Sequence, residues 1–226
     1  PIYIKILNFK FLNFLDINSY VFILSIKKIL KTKIGKSLAT VFDLFFKKIV
    51  QLKLFFLDVK YFFLKKYEFE EINSFNIEFD EFWNKSSKEW DFIFMRDKKM
   101  LNWRFDENPR KYHKIILKRN NDIVGYLVYY KLLKLDESKL IIADYLFLKN
   151  HLLAFEYSLY VLKKIAFKED LNTISLWNNR NSFFSRSLTK SFFLRNKKVP
   201  IIINSNISDI KVNYSKVHFT IADSDN

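Results

Sequence analysis

The chain has 226 residues, half of them hydrophobic and none of them cysteine, so a sizeable core is within reach while disulfides, thiolate metal sites and a cysteine nucleophile are excluded. With 39 basic and 24 acidic residues the net charge is +15, which favours a polyanionic partner: nucleic acid, a phosphorylated cofactor or an anionic membrane surface. The lysines are scattered, so nucleic-acid binding rests on charge alone, and no stretch reaches the roughly 18 uncharged apolar residues of a membrane span.

Pro1–Leu7 alternates as a strand. It opens the chain without an initiator methionine, which reads as a processed or truncated product, and no small-residue cleavage site marks a signal peptide. The pattern then turns helical, and Gly35 separates two expected helices, Ile17–Lys31 and Ser37–Lys66. On the second, Phe42, Phe45, Phe46, Ile49, Leu52, Phe56 and Val59 recur at three- and four-residue steps. That stripe reads as a core or docking face, with an interfacial membrane helix as the alternative because lysines flank it. The acidic stretch Tyr67–Asn76 reads as a linker. Phe79–Lys85 and Asp91–Phe105 read as helices, and Asn108-Pro109 stops the chain beyond them.

The period changes at Tyr112. Tyr112–Arg119 and Ile123–Leu135 read as strands joined by the turn Asn120-Asn121-Asp122. The second strand contains Gly125. Leu140–Leu148 is a nearly unbroken apolar run carrying one acid, Asp144, and suits a strand buried on both faces. After Lys149-Asn150-His151, Leu152–Phe167 reads as a helix, and Thr173–Trp177 as the next strand. Strand, helix and strand with tight connections make a βαβ unit whose strands are parallel neighbours. The helix N-terminus beside the central strand end is then a place for an anion. Asn178–Lys190 reads as a short helix, and Val199–Asn204 and Val217–Ala222 as closing strands.

Two glycines cannot make a dinucleotide fingerprint or a Walker loop. His113, His151 and His218 lie far apart, with no metal-ligand spacing. His151 at the helix entrance reads as a capping or surface residue. Trp83, Trp90, Trp103 and Trp177 read as core rather than a stacking platform.

The order of elements and several words, RDKKMLNWRFDENP, DIVGYLVYY, IADYLF, ISLW, LTKSFF, VPIII and HFTIADSD, resemble the GNAT acyltransferase superfamily. The likeness is closest to bacterial proteins found with surface-polysaccharide and amino-sugar genes, and covers Phe79–Asn226. It implies an α/β fold with a GNAT-like mixed central sheet, an antiparallel meander plus a parallel βαβ pair, behind a helical N-terminal extension. It implies acetyl-CoA or another acyl-CoA as donor, a small-molecule amine as acceptor, no metal, and a cytoplasmic setting. Pantetheine would lie along Leu146, Phe147 and Leu148, and the pyrophosphate at Lys149, Asn150, His151, Leu152 and Leu153. Asp144, an acid in an apolar strand with an expected raised pKa, would be the base, and Tyr145 the proton donor to the thiolate; the structural reading of Asp144 pairs it with Arg104 or a backbone group. Trp103, Arg104, Asp223 and Asp225 would face the acceptor.

The sequence departs from the superfamily where it matters for phosphate. LKNHLL lacks the glycines of the phosphate loop, and Phe192-Phe193 stands where a Gly-Phe word is usual. The alternative is therefore a catalytically degenerate GNAT-like interaction module, membrane-peripheral through its Phe-rich helix. PIYIKIL resembles VPIIINS, so residues 1–78 would be the terminal strand of a preceding GNAT-like domain plus a helical linker, and 79–226 the acyltransferase domain.

Overall fold

A computed structural model describes residues 9–11, 15–62, 67–134, 137–204 and 213–224. The strand expected at Pro1–Leu7, and Asp225, lie outside the described residues. A seven-stranded mixed sheet runs in the order β3-β4-β5-β6-β7-β2-β8. Its members are β2 (Ile17–Ile23), β3 (Glu68–Ile72), β4 (His113–Arg119), β5 (Asp122–Lys134), β6 (Glu137–Phe147), β7 (Thr173–Asn179) and β8 (Leu194–Lys198). The neighbours β3 to β6 are antiparallel, β6 and β7 are parallel, and β2 pairs antiparallel with both β7 and β8. The expected meander and its parallel partner therefore share one sheet.

The crossover helix α5 (Leu152–Lys168) packs on β5, β6 and β7. Helix α2 (Lys36–Phe62) lies on α5 in a further layer, tied by Lys164 Nζ to Asp58 at 2.7 Å and by the Tyr61 ring 4.8 Å from that of Tyr160. The opposite face of the sheet carries α3 (Glu78–Ser86) and α4 (Lys98–Phe105), with Phe75, Phe79 and Phe82 packed edge-on around Tyr126. Alternation along β6 assigns its side chains: Tyr145 and Phe147 pack against Phe155 of α5, while Asp144 points to the other face and bonds Tyr126. Gly125 pairs with Phe147 across the β5–β6 ladder, and a Cβ added there would run into the Phe147 ring. That close approach is what requires the glycine.

Several expectations are corrected. Ile17–Lys31 is not one helix: Ile17–Ile23 is β2, and helix α1 spans Lys27–Ile34. An apolar run buried on both faces looks alike as strand or helix, and only its position between β7 and β8 decides. The N-terminus of α1 is capped from a distance, because Asp43 Oδ1 on α2 accepts from Ile26 N at 2.7 Å and Lys27 N at 3.1 Å. Tyr67–Asn76 is not an irregular linker; it contains β3, a charged edge strand whose Glu70 pairs with Lys118 at 3.6 Å. Of the expected helix Asp91–Phe105 only α4 is helical, because Asp97 caps it by accepting from Met100 N at 2.7 Å. The run ahead of it is non-helical, and Phe92 bridges Val217. β7 extends to Asn179, and helix α6 covers only Phe184–Lys190. Val199–Asn204 does not join the main sheet: Leu194–Lys198 does, while β9 (Ile202–Asn204) pairs with β1 (Phe9–Phe11). Val217–Ala222 forms no strand beyond the Val217 bridge. The main sheet thus takes β2 and β3 from before residue 78 and its other strands from after it.

Candidate functional site

The parallel pairing of β6 and β7 is short. It runs Lys139↔Thr173, Leu140↔Ile174 and Ile141↔Ser175, then stops, although β6 continues to Phe147 and β7 to Asn179. The cause lies on the other side of β6. Val128 pairs with Asp144 but Tyr129 pairs with Ile142, so Ala143 is an extra residue bulged from the ladder. A bulge bends its strand and raises the local twist, and here it falls at the point where β6 leaves β7. The two strands open into a wedge toward the start of α5.

Side chains fill the upper part of that wedge. The Tyr145 hydroxyl donates toward Trp177 O at 3.1 Å and Asn178 Oδ1 at 2.9 Å. His218 Nε2 lies 2.7 Å from the Tyr145 carbonyl oxygen. A carbonyl only accepts, so Nε2 carries the proton. Burial foremost, and then Arg96, push the His218 imidazole down to about 4, so it is neutral near pH 7. The Trp90 ring lies 4.8 Å from His218 and 4.6 Å from Phe183, and its buried Nε1–H has no hydrogen-bond partner among the described residues.

Asp144, expected to be an isolated acid with a raised pKa, is fully buried and paired. Its partner is Arg96 and not Arg104: Arg96 Nε lies 3.2 Å from both carboxylate oxygens and Nη2 3.1 Å from Oδ1. Tyr126 donates to Oδ2 at 2.8 Å and Thr220 to Oδ1 at 2.8 Å. Burial opposes the charge, but Arg96, with Arg104 and His218, outweighs it and holds the carboxyl below its usual range. Arg96 Nη2 also reaches Asp223 Oδ2 at 2.5 Å, and Arg104 Nη1 reaches Asp223 Oδ1 at 3.1 Å. The charge of Asp223, expected to attract a cationic amine, is thus committed to two arginines. Tyr145, expected as a proton donor, is fully buried, and its pKa is raised well above the ordinary value, by burial first and then by Tyr20 and Asp144. Trp103 is 58 % exposed on α4.

The residues expected to meet the donor divide in the same way. Leu146 and Phe147 are fully buried, Lys149 and Asn150 exposed, and Leu148, His151, Leu152 and Leu153 half-buried. His151 occupies the N-cap position of α5 without a capping hydrogen bond, and its Nδ1 lies 3.4 Å from the Tyr67 hydroxyl. Burial, with Arg119, lowers its pKa. The backbone amide of Lys149 is already engaged: it donates to Glu89 Oε2 at 2.9 Å. A carboxylate of the chain itself occupies one of the positions where an anionic ligand would be received.

Leu152 and Leu153 do border an open cleft of about 490 Å³ between α5 and α6, with Glu156, Phe183, Arg186 and Lys190 among its other walls. Arg186 also borders an adjoining hollow of about 300 Å³ with Arg180 and Arg195. Cations, serine hydroxyls and an apolar wall suit a ligand with phosphates at one end and an aliphatic arm at the other. Sequence reasoning missed Glu89, Arg96, Arg186 and Lys190. The last two sit four residues apart on one helix face, a spacing that marks them as neighbours. Among the described residues, no group of three or more His, Asp or Glu side chains is arranged to hold a metal ion.

No family model and no curated protein matches the chain. Among solved structures, a functionally unknown conserved protein from Staphylococcus epidermidis is 12 % identical, with a TM-score of 0.49 over 89 % of this chain and 65 % of that one. Saccharomyces cerevisiae N-myristoyltransferase with bound myristoyl-CoA is 10 % identical, with a TM-score of 0.45 over 59 % of this chain and 36 % of that one. An aminoglycoside acetyltransferase from an uncultured soil metagenomic sample is 16 % identical, with a TM-score of 0.29 over 43 % of this chain and 72 % of that one. The chain spans less than two thirds of the first two proteins. These likenesses are distant, and the GNAT-like character of the fold rests on the strand order: a seven-stranded mixed sheet flanked by helices, with one parallel pair joined through α5.

Proposed function

We propose that the chain is an acyl-CoA-dependent N-acyltransferase, moving an acetyl or related acyl group to a small-molecule amine, with an amino sugar of surface-glycan synthesis as the acceptor. The observation that carries this reading is the basic cleft between α5 and α6, beside the end of the β6–β7 wedge. Arg186 and Lys190 supply cations for the donor phosphates, and Leu152, Leu153 and Phe183 an apolar wall for its arm. In the reaction the amine nitrogen attacks the thioester carbonyl carbon, the C–S bond breaks, and the electron pair leaves on sulfur. The ammonium loses a proton and the thiolate gains one. Asp144 and Tyr145 are fully buried, so on this reading water in the cleft carries those protons, and Asp144 acts by holding Arg96.

A second reading, a catalytically degenerate interaction module, is favoured by Glu89 on the Lys149 amide. One experiment separates them. Acetyl-CoA should raise the melting temperature, and a panel of amino sugars should then release free CoA thiol. Protection without thiol release would favour the module, and absence of protection would end the acyltransferase reading.

A further inference from the structure

Helix α2 is apolar on two sides. Its buried positions, Ala39, Asp43, Val50, Leu54 and Tyr61, fall at steps of four and seven and form one stripe. A helix packed on one side ordinarily shows water a polar face. Here the outward strip, Val41, Phe45, Ile49, Leu52, Phe56 and Val59, is apolar, and each residue is 47–68 % exposed. Such a contiguous face marks an interaction surface.

The charge around the strip indicates what covers it. From Lys27 to Phe62, helices α1 and α2 carry nine lysines and two aspartates, a net +7. Neither aspartate offers an unpaired acid to the outside. Asp43 is buried, accepting from Ser25 Oγ and from the amides that open α1. Asp58 is held by Lys164 and Tyr160 of α5. Beside α1 lies a hollow of about 710 Å³ bordered by Lys27, Lys28, Lys31, Lys36 and Lys134, with Glu137 its one acid, itself held by Lys139 at 2.5 Å.

We propose that α1 and α2 form a docking face for an anionic lipid surface, with the apolar strip of α2 entering the headgroup–acyl boundary and the lysines meeting phosphodiester headgroups. A lipid surface offers apolar depth and negative charge in one layer, the pairing that this strip and these lysines require. A second copy would bring the same lysines against these, and like charges repel. Among the described residues no helix is long and apolar enough to cross a membrane, so α2 lies in the interface plane. The proposal is independent of acyl transfer.

Sedimentation of the full chain with vesicles tests it. Phosphatidylcholine vesicles containing phosphatidylglycerol should carry the protein down, and raised salt should release part of it. Pure phosphatidylcholine vesicles should retain much less. The exposed pair Phe45→Glu/Phe56→Glu should weaken binding more than about tenfold, with the melting temperature unchanged. Lys27→Gln/Lys28→Gln/Lys31→Gln should weaken it by about tenfold to a hundredfold and reduce the salt dependence. Failure to bind the mixed vesicles, equal binding to both kinds, or self-association that Phe45→Glu/Phe56→Glu abolishes without any vesicle binding would overturn the proposal.

Discussion

Arg96 and Asp144, 48 residues apart in the chain, meet with neither side chain exposed to solvent. Arg96 lies just ahead of α4 and Asp144 lies next to the bulged residue of β6, so their pairing fastens the approach to α4 over the strand that opens the wedge. Thr220 and Asp223 join the same pair and hold the C-terminal segment down with it. Removing one partner of a buried ion pair leaves an uncompensated charge, at a cost of about 3–5 kcal/mol. Arg96→Met should lower stability by that amount in urea unfolding. Arg104→Met, at a partly exposed position paired among the described residues through Asp223 alone, should cost much less. Equal losses for the two variants would mean that Arg96 is not the centre of the network.

The cleft cations give a binding prediction. Arg186→Ala combined with Lys190→Ala removes two charge-assisted contacts, each worth about 1.5–3 kcal/mol. Calorimetric titration with CoA should show affinity falling by at least about a hundredfold, with stability unchanged because both side chains are exposed. Unaltered affinity would direct the search for the donor away from α6.

Glu89 gives the opposite sign. Its carboxylate occupies the Lys149 amide, and burial raises its pKa despite that hydrogen bond. Glu89→Gln keeps a hydrogen-bond acceptor while removing the negative charge. CoA should bind the variant about tenfold more tightly, because a repulsive charge near the phosphates is gone. If CoA binds wild type and variant alike, the phosphates do not approach Lys149.

His218 sets an acid limit on stability. Unfolded, its imidazole titrates near 6.5, whereas in the folded chain it titrates at about 4. The folded state therefore binds fewer protons in that interval. Its contribution is complete above pH 6.5, is lost progressively as pH falls toward 4, and is on the order of 3 kcal/mol. Asp144, held below its usual range by Arg96, adds a further loss only below about pH 3.8. His218→Gln retains a donor for the Tyr145 carbonyl and should flatten the decline in melting temperature between pH 6.5 and 4.5. A variant as acid-sensitive as wild type would assign the decline to another group.

Gly125→Ala tests the close approach of β5 to the Phe147 ring. Overpacking of this kind costs about 1–3 kcal/mol. Gly125→Ala combined with Phe147→Leu should recover part of the loss in thermal melts. No recovery would place the strain in the backbone rather than against the ring.

Local pattern by itself determined the middle of this protein. The meander of β4 to β6, the helix α5 and the strand β7 were legible because alternation, turn residues and a long apolar helix are written over neighbouring positions. The apolar stripe of α2 was legible as a helical period for the same reason, while the fold left most of it exposed and buried the face of Ala39, Val50 and Leu54 instead. Tertiary structure alone decided the rest. Ile17–Ile23 is a strand because β7 and β8 receive it on both sides, which its own apolar run cannot state. Asp144 is held charged because the fold brings Arg96 to it across 48 residues, and a lone acid in a strand carries no record of a partner that distant. The wedge between β6 and β7 opens because Ala143 is bulged in the ladder with β5, a register relation between strands that neither strand contains alone.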